Sequence, residues 1–219
     1  MEVVKEIVVR DLGLVDYQPV FKAMQKFSES RTDLQNDELW CLQHNPVYTL
    51  GRSGNRTNLL DAKDIPVVQV DRGGDVTFHG PGQLVIYLLA DIKRLDKNVR
   101  QIVSAIEESI VEYLAGLGIE SAARSDAPGA YVDGKKIASL GLRVRRGATY
   151  HGLALNWDMD MSPWAGINAC DLGVPITQLS ELLDNVPPIA SVALELTKLL
   201  TDRLGYNYLL DAESELSYD

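Results

Sequence analysis

Residues Arg72–Arg94 read RGGDVTFHGPGQLVIYLLADIKR, and this stretch joins two halves of opposite character. The first half carries four glycines, one proline and one histidine, whereas 84–92, LVIYLLADI, is almost continuously apolar. A continuous apolar run of this length indicates a strand that is buried on both faces. Glycines directly before it allow another group to approach the backbone closely. The sequence therefore predicts a central buried strand with a cavity beside its first residues.

The segments before this strand predict further strands and one helix. The β-branched run VVKEIVVRDL at 3–12 is typical of a first strand. Apolar residues at helical spacing follow Asp16, which indicates a helix that begins there. The other strands are predicted at 39–44, 46–52 and 65–70, with a loop at 54–58.

The segments after the central strand predict a long helix, a run of hairpins and two more helices. Asp96 is in position to cap the long helix, which glycines near 117 would end. Residues 129–157 alternate strand patterns with short turns that contain glycine. The predicted turns are Asp133-Gly134 and Arg146-Gly147, and the predicted C-terminal helices are Thr177–Leu183 and Ser191–Leu204, the latter ended by Gly205.

This order of elements favours one fold class over another. Hairpins dominate the middle of the chain, and helices alternate with strands irregularly. Such an order favours an α+β fold, with a mixed or antiparallel sheet and helices packed against it, over a doubly wound parallel sheet. No proline- and serine-rich linker, charge block or repeat divides the 219 residues. We therefore see no boundary between two domains.

Composition and cysteine usage exclude several classes of protein. The formal net charge of −10 argues against nonspecific nucleic-acid binding, which relies on basic surface. The first twelve residues do not resemble a signal peptide, and no run of eighteen apolar residues predicts a membrane span. Cys41 and Cys170 form no C-x-x-C pair. We expect two free thiols in a reducing, cytoplasmic compartment.

Common catalytic and cofactor-binding motifs are absent from the sequence. It contains no phosphate-binding G-x-x-x-x-G-K-[ST] loop, and its glycines at 73–82 lead into a strand rather than into a helix, unlike those of a dinucleotide-binding site. It also lacks H-E-x-x-H and the G-x-S-x-G of serine hydrolases. No acidic residue stands at ligand spacing from a histidine, so no metal is expected.

The remaining candidate nucleophiles are the two thiols. Cys41 alternates within LWCLQH and is interpreted as a core residue. Cys170 lies in WAGINACDLGVP, a predicted loop between a strand and a helix, where reactive residues tend to occur. From position alone, Cys170 is either a nucleophile or an inert small hydrophobic residue.

A nucleophilic thiol needs a base or a cation close to it. Lys136 begins the strand KIASLG, and an amine held there could take the thiol proton. The alternative is a lysine at a strand end that points to water. The other candidate bases are His44, His79, His151 and Lys135. Strand alternation predicts Lys136, Ala138 and Leu140 on one face and Ile137 and Ser139 on the other.

Two histidines, His79 and His151, are each followed by a glycine. A glycine in a strand allows close approach of a ligand or bends the strand. The two His-Gly pairs are therefore either two walls of one pocket or two satisfied polar histidines at strand ends.

Three blocks of the sequence resemble a known family. RGGDVTFHGPGQLVIYLLADI, KKIASLGLRVRRGATYHGLALNW and INAC, in this order over about residues 40–175, closely resemble the lipoyl (octanoyl) transferases. The resemblance implies a single octanoyltransferase catalytic domain over 1–219, with a largely antiparallel mixed sheet flanked by helices, like that of biotin and lipoate protein ligases. It also implies transfer of an octanoyl group through a cysteine thioester, in the biosynthesis of protein-bound lipoate, without ATP, metal or another cofactor.

The resemblance also assigns roles to individual residues. Cys170 in INAC matches the cysteine that carries the octanoyl group, and Lys136 matches the lysine that activates it. Ala169 and Asp171 depart from the family, which usually has proline before and glycine after this cysteine. The residues that match the acyl-binding pocket are Arg72, Gly73, Gly74, Asp75, Val76, Thr77, Phe78, His79, Ser139, Leu140, Gly141, Gly152, Leu153 and Ala154.

The partners that the resemblance implies are proteins. The octanoyl donor is acyl carrier protein, and the acceptors are lipoyl domains of 2-oxoacid dehydrogenase E2 subunits and the glycine cleavage H protein. Because acyl carrier proteins are acidic, the cluster of Arg143, Arg145 and Arg146 is a candidate docking site. The alternatives are an ATP-dependent lipoate or biotin ligase of the same fold, a non-catalytic lipoyl-domain or acyl-carrier binding module, and a cysteine thioesterase.

Overall fold

A computed structural model describes residues 5–169 and 173–210 of the chain. In these residues four α-helices and eleven strands occur, together with short 3₁₀ turns. The helices are α1 (Tyr17–Glu29), α2 (Ile92–Leu95), α3 (Val99–Gly116) and α4 (Ile189–Leu204). The strands are β1 (Glu6–Val15), β2 (Asp37–His44), β3 (Val47–Leu50), β4 (Val67–Gln69), β5 (Val76–His79), β6 (Gln83–Leu89), β7 (Ala122–Ala123), β8 (Gly129–Val132), β9 (Lys135–Arg145), β10 (Ala148–Asn156) and β11 (Asn207–Leu210).

The strands form one large sheet and one small sheet. The large sheet has the order β11-β1-β2-β6-β10-β9-β8-β7, in which β1 is parallel to β11 and to β2 while every other pair is antiparallel. The small sheet has the order β4-β3-β5, with one parallel and one antiparallel pair. The α+β class and the mixed, largely antiparallel sheet are therefore confirmed.

Strand β6 lies in the middle of the large sheet and is buried along its whole length. Its alternate side chains enter two different cores, as the two-residue period of a strand requires. Leu84, Ile86 and Leu88 pack with the apolar faces of α3 and α4, whereas Val85 and Tyr87 pack with α1. The continuous apolar run is thus explained by helices on both faces of the sheet.

Most of the predicted local structure is confirmed. Helix α1 begins directly after Asp16, and α4 ends at Gly205, which has φ of 79°. The turns Asp133-Gly134 and Arg146-Gly147 have positive φ at both residues, as tight hairpins require. The structure adds β5, a strand inside the glycine-rich stretch that sequence patterns did not predict.

Two predicted helix features are wrong. Asp96 does not cap the long helix, because it ends the short helix α2 in a left-handed conformation, with φ of 53°. Asn98 caps α3 instead. Its side chain accepts a hydrogen bond from the Gln101 backbone N–H, and the Gln101 side chain accepts one from the Asn98 backbone N–H. Residues 177–183 contain only a 3₁₀ turn at Leu179–Glu181, because the Thr177 N–H is bonded to the distant Lys136 carbonyl.

A buried carboxylate, that of Asp37 at the start of β2, ties several elements together. Asp37 is fully buried and accepts hydrogen bonds from the Asp91 N–H at 3.0 Å and from Arg94 Nη1 at 3.1 Å. It also accepts from Arg31 after α1 and from the Tyr206 hydroxyl after α4. One carboxylate therefore holds the ends of α1 and α4 and the start of α2 against the sheet.

We predict that Asp37→Ala strongly destabilises the fold. The substitution leaves two guanidinium groups and a buried hydroxyl without their acceptor, which costs about 3 kcal/mol or more. The free energy of unfolding, measured by urea denaturation, should fall by this amount. Glu108→Ala is the control, because its ion pair with Arg203 is exposed and should contribute less than about 1 kcal/mol. Equal effects of the two substitutions would contradict the role assigned to Asp37.

Candidate active site

A cleft lies between the large sheet and the small sheet, beside the first residues of β6. It encloses about 610 Å³, part of it open to solvent. Fourteen of the sixteen residues that the resemblance assigns to catalysis or acyl binding line it, and they come from the glycine-rich stretch, from β9 and from β10. They are Arg72, Gly73, Gly74, Asp75, Val76, Thr77, His79, Lys136, Ser139, Leu140, Gly141, Gly152, Leu153 and Ala154.

Among the fourteen proposed acyl-binding residues, Phe78 is the one that does not line the cleft. On β5, Thr77 and His79 line the cleft, and the side chain of Phe78 between them packs on the other side of the small sheet. Its ring contacts the rings of Tyr48 and Trp164, with centroid distances of 5.4 and 5.9 Å. Phe78 therefore supports the wall of the cleft from behind.

The glycine-rich stretch joins the two sheets. Arg72 is buried, and its Nη2 donates to the carbonyl and to the hydroxyl of Thr49 in β3, both at 2.9 Å. The next residue, Gly73, donates its N–H to the Leu142 carbonyl of β9 at 3.1 Å. The start of the RGG segment thus bridges the small and the large sheet and fixes one wall of the cleft.

The glycine after His151 is required by the packing of two strands. A Cβ at Gly152 would lie 2.1 Å from the Ile86 carbonyl oxygen of β6, which is much closer than a carbon atom can approach. His151 itself has φ of 61°, an uncommon conformation for a residue with a side chain. The close approach of β6 and β10 at this point forms the floor of the cleft.

A β-bulge determines where the Lys136 side chain points. Tyr131 of β8 pairs with Lys136 and Ala130 pairs with Ala138, so Ile137 is an extra residue in β9. Ile137 and Ala138 both pack into the core under α3 and α4, although they are consecutive. Lys136 and Ser139 consequently both line the cleft. The simple alternation expected from the sequence is wrong here, because the bulge shifts the strand by one residue.

Lys136 is held in a buried position rather than pointing to water. It is 5 % exposed, and its Nζ lies 5.5 Å from the centre of the Tyr131 ring, at cation–π distance. Gly129 leaves space for it, since a Cβ there would lie 2.8 Å from Lys136 Cε. The pKa of Glu107 is raised by burial, and the Gly129 N–H and the positive charge of Lys136 oppose this rise.

The chain segments that flank Cys170 are attached to the same walls. Asn168 donates its N–H to the Asn58 carbonyl at 2.7 Å, and Asn58 in turn bonds the Asp75 carboxylate of the cleft wall. On the other side, the Lys136 N–H donates to the Pro175 carbonyl at 2.8 Å. Ala169 lines the cleft together with Lys136. Cys170 and Asp171 themselves lie outside the residues that the structure describes.

Cys41 has the environment of an inert core residue, as expected. It lies on β2, which is flanked by β1 and β6, and its side chain packs in the core under α3 and α4. Burial, and to a smaller extent the charge of Asp11, raises the pKa of its thiol to about 12. A thiol of this pKa is not ionised at neutral pH and is therefore a poor nucleophile.

The three histidines of the sequence meet on one side of the cleft. The rings of His44 and His79 are 5.8 Å apart, and Tyr87 lies 5.9 Å from both His44 and His151. His44 donates from Nδ1 to the Val15 carbonyl at 3.1 Å, so its Nε2 accepts from the Tyr87 hydroxyl at 2.7 Å. We refer to His44, His79, His151, Tyr17 and Tyr87 as the histidine–tyrosine cluster.

A chain of hydrogen bonds fixes the orientation of His79. Asn156 donates to the Thr177 carbonyl at 2.9 Å, so its oxygen accepts from Gln83 Nε2, also at 2.9 Å. The Gln83 oxygen must then accept from His79 Nδ1, at 2.7 Å. Burial lowers the pKa of His79 well below its usual value, and the ring is neutral with its proton on Nδ1. His79 is therefore both a histidine with a hydrogen-bond partner, at Nδ1, and a residue of the cleft wall, so the two alternatives from the sequence both apply.

The other two histidines are also neutral. Burial lowers the pKa of His44 to about 4, and it lowers the pKa of His151 in spite of Asp71, whose carboxylate lies 3.5 Å from its Nε2. Burial raises the pKa of Asp71, but hydrogen bonds from His151 and Tyr150 outweigh this effect and lower the pKa to about 2. Tyr17 and Tyr87 line the cleft as well, although no sequence motif marked them.

Of the three arginines proposed as a docking site, two lie near carboxylates and the third bonds to a backbone carbonyl. Arg145 forms an ion pair with Glu29 at 2.8 Å, and Arg143 Nε lies 3.7 Å from an Asp71 oxygen. Arg146 donates to the Glu29 carbonyl at 3.3 Å. Each of the three guanidinium groups is therefore engaged within the chain.

Two features are absent from residues 5–169 and 173–210. Within these ranges, no group of three or more histidine, cysteine, aspartate or glutamate side chains is arranged to hold a metal ion. No helix there combines the length and the apolar character that a membrane span needs.

Comparison with known proteins assigns this fold to a known class of catalytic domains. The family model described as the lipoyl protein ligase A/B catalytic domain matches residues 16–201. A bi-partite lipoate protein ligase from Thermoplasma acidophilum is similar with a TM-score of 0.75 and 15 % identity, over 95 % of this chain and 86 % of that one. Lipoate-protein ligase A bound with ATP gives 0.69 and 14 %, over 97 % and 91 %. At these identities the likeness shows the fold alone.

Closer relatives narrow the class to one activity. The octanoyltransferase of Ectopseudomonas mendocina is 53 % identical over 92 % of this chain and 98 % of its own length. That of Vibrio atlanticus is 50 % identical over 92 % of both chains. The chain therefore belongs to the octanoyltransferases, which are acyltransferase enzymes of the lipoyl protein ligase A/B fold.

We predict that the histidines make stability depend on pH. Their pKa values are lowered in the folded protein, so between pH 6.5 and 5 the unfolded chain binds protons that the folded chain does not. Stability is thus fully present above pH 6.5 and is lost as pH falls, by up to about 1.4 kcal/mol per pH unit for each histidine. Urea denaturation at several pH values measures this slope.

His79→Gln tests the assignment of the slope to the cluster. Glutamine cannot gain a proton, so the variant should show a shallower dependence than the unmodified chain over the same pH range. Carboxylates of ordinary pKa contribute little in this window, because they remain ionised. Glu107, whose pKa is raised by burial, acts in the opposite direction, since the folded chain then binds the proton first. A free energy of unfolding that is constant between pH 7 and 5 would contradict the prediction.

Proposed function

We propose that this chain transfers an octanoyl group from octanoyl-acyl carrier protein to a specific lysine of lipoyl domains, through a thioester on Cys170. The observation that carries the proposal is the position of Lys136. It is a buried amine aimed into a cleft that Ala169, the neighbour of Cys170 in the sequence, also lines. Membership of the octanoyltransferases supports the acyl group that is transferred. We also propose that 1–219 acts as one catalytic domain in the cytoplasm.

The proposed first half-reaction forms the acyl-enzyme. Lys136 accepts the Cys170 thiol proton or, when protonated, stabilises the thiolate. The sulfur attacks the octanoyl carbonyl, and collapse of the tetrahedral intermediate breaks the bond to the carrier sulfur, which leaves with a proton as the free thiol. One thioester is exchanged for another, so the step is nearly balanced in free energy and needs no ATP.

The proposed second half-reaction forms the product amide. The neutral amine of the acceptor lysine attacks the thioester carbonyl and loses a proton as the C–S bond to Cys170 breaks. The thiol of Cys170 is regenerated, and formation of an amide from a thioester is favourable. The acceptors we propose are the lipoyl domains of 2-oxoacid dehydrogenase E2 subunits and the H protein of glycine cleavage.

The octanoyl chain is proposed to bind along the sheet. Val85, Leu140, Leu153 and Ala154 give the cleft an apolar floor, and the glycines of the RGG segment leave its wall without side chains. The substrate-binding residues proposed from the resemblance are Arg72, Gly73, Gly74, Asp75, Val76, Thr77, Phe78, His79, Ser139, Leu140, Gly141, Gly152, Leu153 and Ala154, with Phe78 acting from behind the wall.

An ATP-dependent ligase is the second candidate, because the fold is shared with a lipoate-protein ligase solved with ATP. Such an enzyme would activate a free acid as an adenylate and would need no cysteine. It should turn over octanoate only with ATP, and Cys170→Ser should keep most of its activity. The transferase should use octanoyl-carrier protein without ATP and lose turnover in the same variant.

We predict a covalent adduct that intact-protein mass spectrometry can detect. After incubation with octanoyl-acyl carrier protein, the unmodified chain should gain the mass of one octanoyl group. Cys170→Ala should gain none, because no sulfur remains to carry the chain. Lys136→Met should slow adduct formation by about 10²–10⁴-fold, the usual contribution of a general base.

Cys41→Ala is the matched control and should form the adduct normally, since its thiol lies in the core away from Lys136. Absence of an adduct on the unmodified chain would favour a binding module. Release of free octanoate without any lipoyl domain would favour a thioesterase. An adduct that persists in Cys170→Ala would contradict the assigned nucleophile.

A further inference from the structure

The loop from Gly51 to Asn58 borders the cleft next to the segment that leads to Cys170. At its start, the Arg52 N–H donates to the Arg72 carbonyl at 3.0 Å and the Gly51 N–H donates to the Asp75 carbonyl at 3.3 Å. At its end, Asn58 contacts Asn168. The loop is therefore attached to the glycine-rich wall and to the residues that precede Ala169.

The Asp75 carboxylate fixes the shape of this loop. It accepts the Asn55 N–H at 3.0 Å and the Val76 N–H at 2.7 Å on one oxygen, and the Asn58 side-chain amide on the other. The carboxylate thus bonds to amides rather than to the arginines of the loop. Its hydrogen bonds hold the loop beside the opening of the cleft.

Two arginines of this loop, Arg52 and Arg56, project into solvent. Both are exposed, and neither has a carboxylate partner among the residues that the structure describes. This distinguishes them from Arg143 and Arg145, which are paired with acidic residues of the chain. Within residues 5–169 and 173–210, two exposed positive charges without a carboxylate partner therefore lie on a loop that is bonded to the cleft wall and to Asn168, the neighbour of Ala169.

We propose that Arg52 and Arg56 form the docking surface for the acidic carrier protein that donates the octanoyl group. This inference rests on the proposed function, because it assumes a protein-bound donor. Charges further apart than about 8 Å are largely screened at physiological salt, so local charge outweighs the net charge of −10 at the contact. A pair of cations beside the opening attracts an acidic partner and orients its acyl arm toward the cleft.

The test compares two double charge reversals, Arg52→Glu/Arg56→Glu and Arg145→Glu/Arg146→Glu. With octanoyl-acyl carrier protein as donor, the first should raise KM at least about tenfold with little change in kcat, since electrostatic steering contributes ten- to a thousandfold to association. It should also remove most of the salt dependence of kcat/KM. The second should change KM much less, because Arg145 is already paired with the Glu29 carboxylate and Arg146 is already bonded to the Glu29 backbone carbonyl.

A small neutral donor, octanoyl-N-acetylcysteamine, separates this inference from the proposed function. The Arg52→Glu/Arg56→Glu variant should use it at the same rate as the unmodified chain, because it carries no acidic protein. Equal KM values of that variant and the unmodified chain for the carrier donor would overturn the docking surface while leaving acyl transfer intact. A larger KM effect at Arg145 and Arg146 would also overturn it. No turnover of either donor by the unmodified chain would instead overturn the proposed function.

Discussion

The position of Lys136, and with it the proposed chemistry, depends on one irregularity in a β-ladder, the extra residue in β9 opposite Tyr131. Without it, Lys136 and Ser139 would point to opposite faces of the sheet, as strict alternation requires. With it, Ile137 and Ala138 both enter the core, and the amine beside them enters the cleft. Gly129 across the ladder leaves the space that the aliphatic part of the lysine fills. Burial of the Ile137 and Ala138 side chains thereby offsets part of the free energy lost when the Lys136 amine is buried.

The remaining walls of the cleft are held by polar groups whose partners are distant in sequence. Arg72 and Gly73 join the two sheets, Asp75 joins the wall to the loop before β4, and Asn58 joins that loop to Asn168. The histidine–tyrosine cluster is neutral and buried, so it adds rigidity without adding charge beside the proposed path of the acyl chain. The Lys136 amine and the neutral histidine–tyrosine cluster therefore occupy different parts of the cleft wall.

Local signals in the sequence were sufficient where the physics is local. Tight hairpins need positive φ at two residues, so Asp133-Gly134 was recognisable, and a helix that begins after Asp16 shows its apolar period directly. Predictions of local structure failed where contacts with residues distant in sequence determine the backbone conformation. The segment 177–183 bonds to β9 instead of to itself, and Asp96 ends a short helix that the sequence pattern did not separate from the long one. Tyr17 and Tyr87 were missed because each stands in an apolar pattern that predicts core residues.

The sequence by itself determined the fold class, the buried central strand, most of the residues around the cleft and, through its resemblance, the family. These follow from apolar periodicity, turn chemistry and long matching blocks, all of which are readable along the chain. Tertiary structure alone decided which way Lys136 points, which arginines lack a carboxylate partner within the described residues, and that three separate histidines lie close together. Those features depend on strand register and on contacts between residues far apart in sequence, and neither is encoded in the spacing of neighbouring residues.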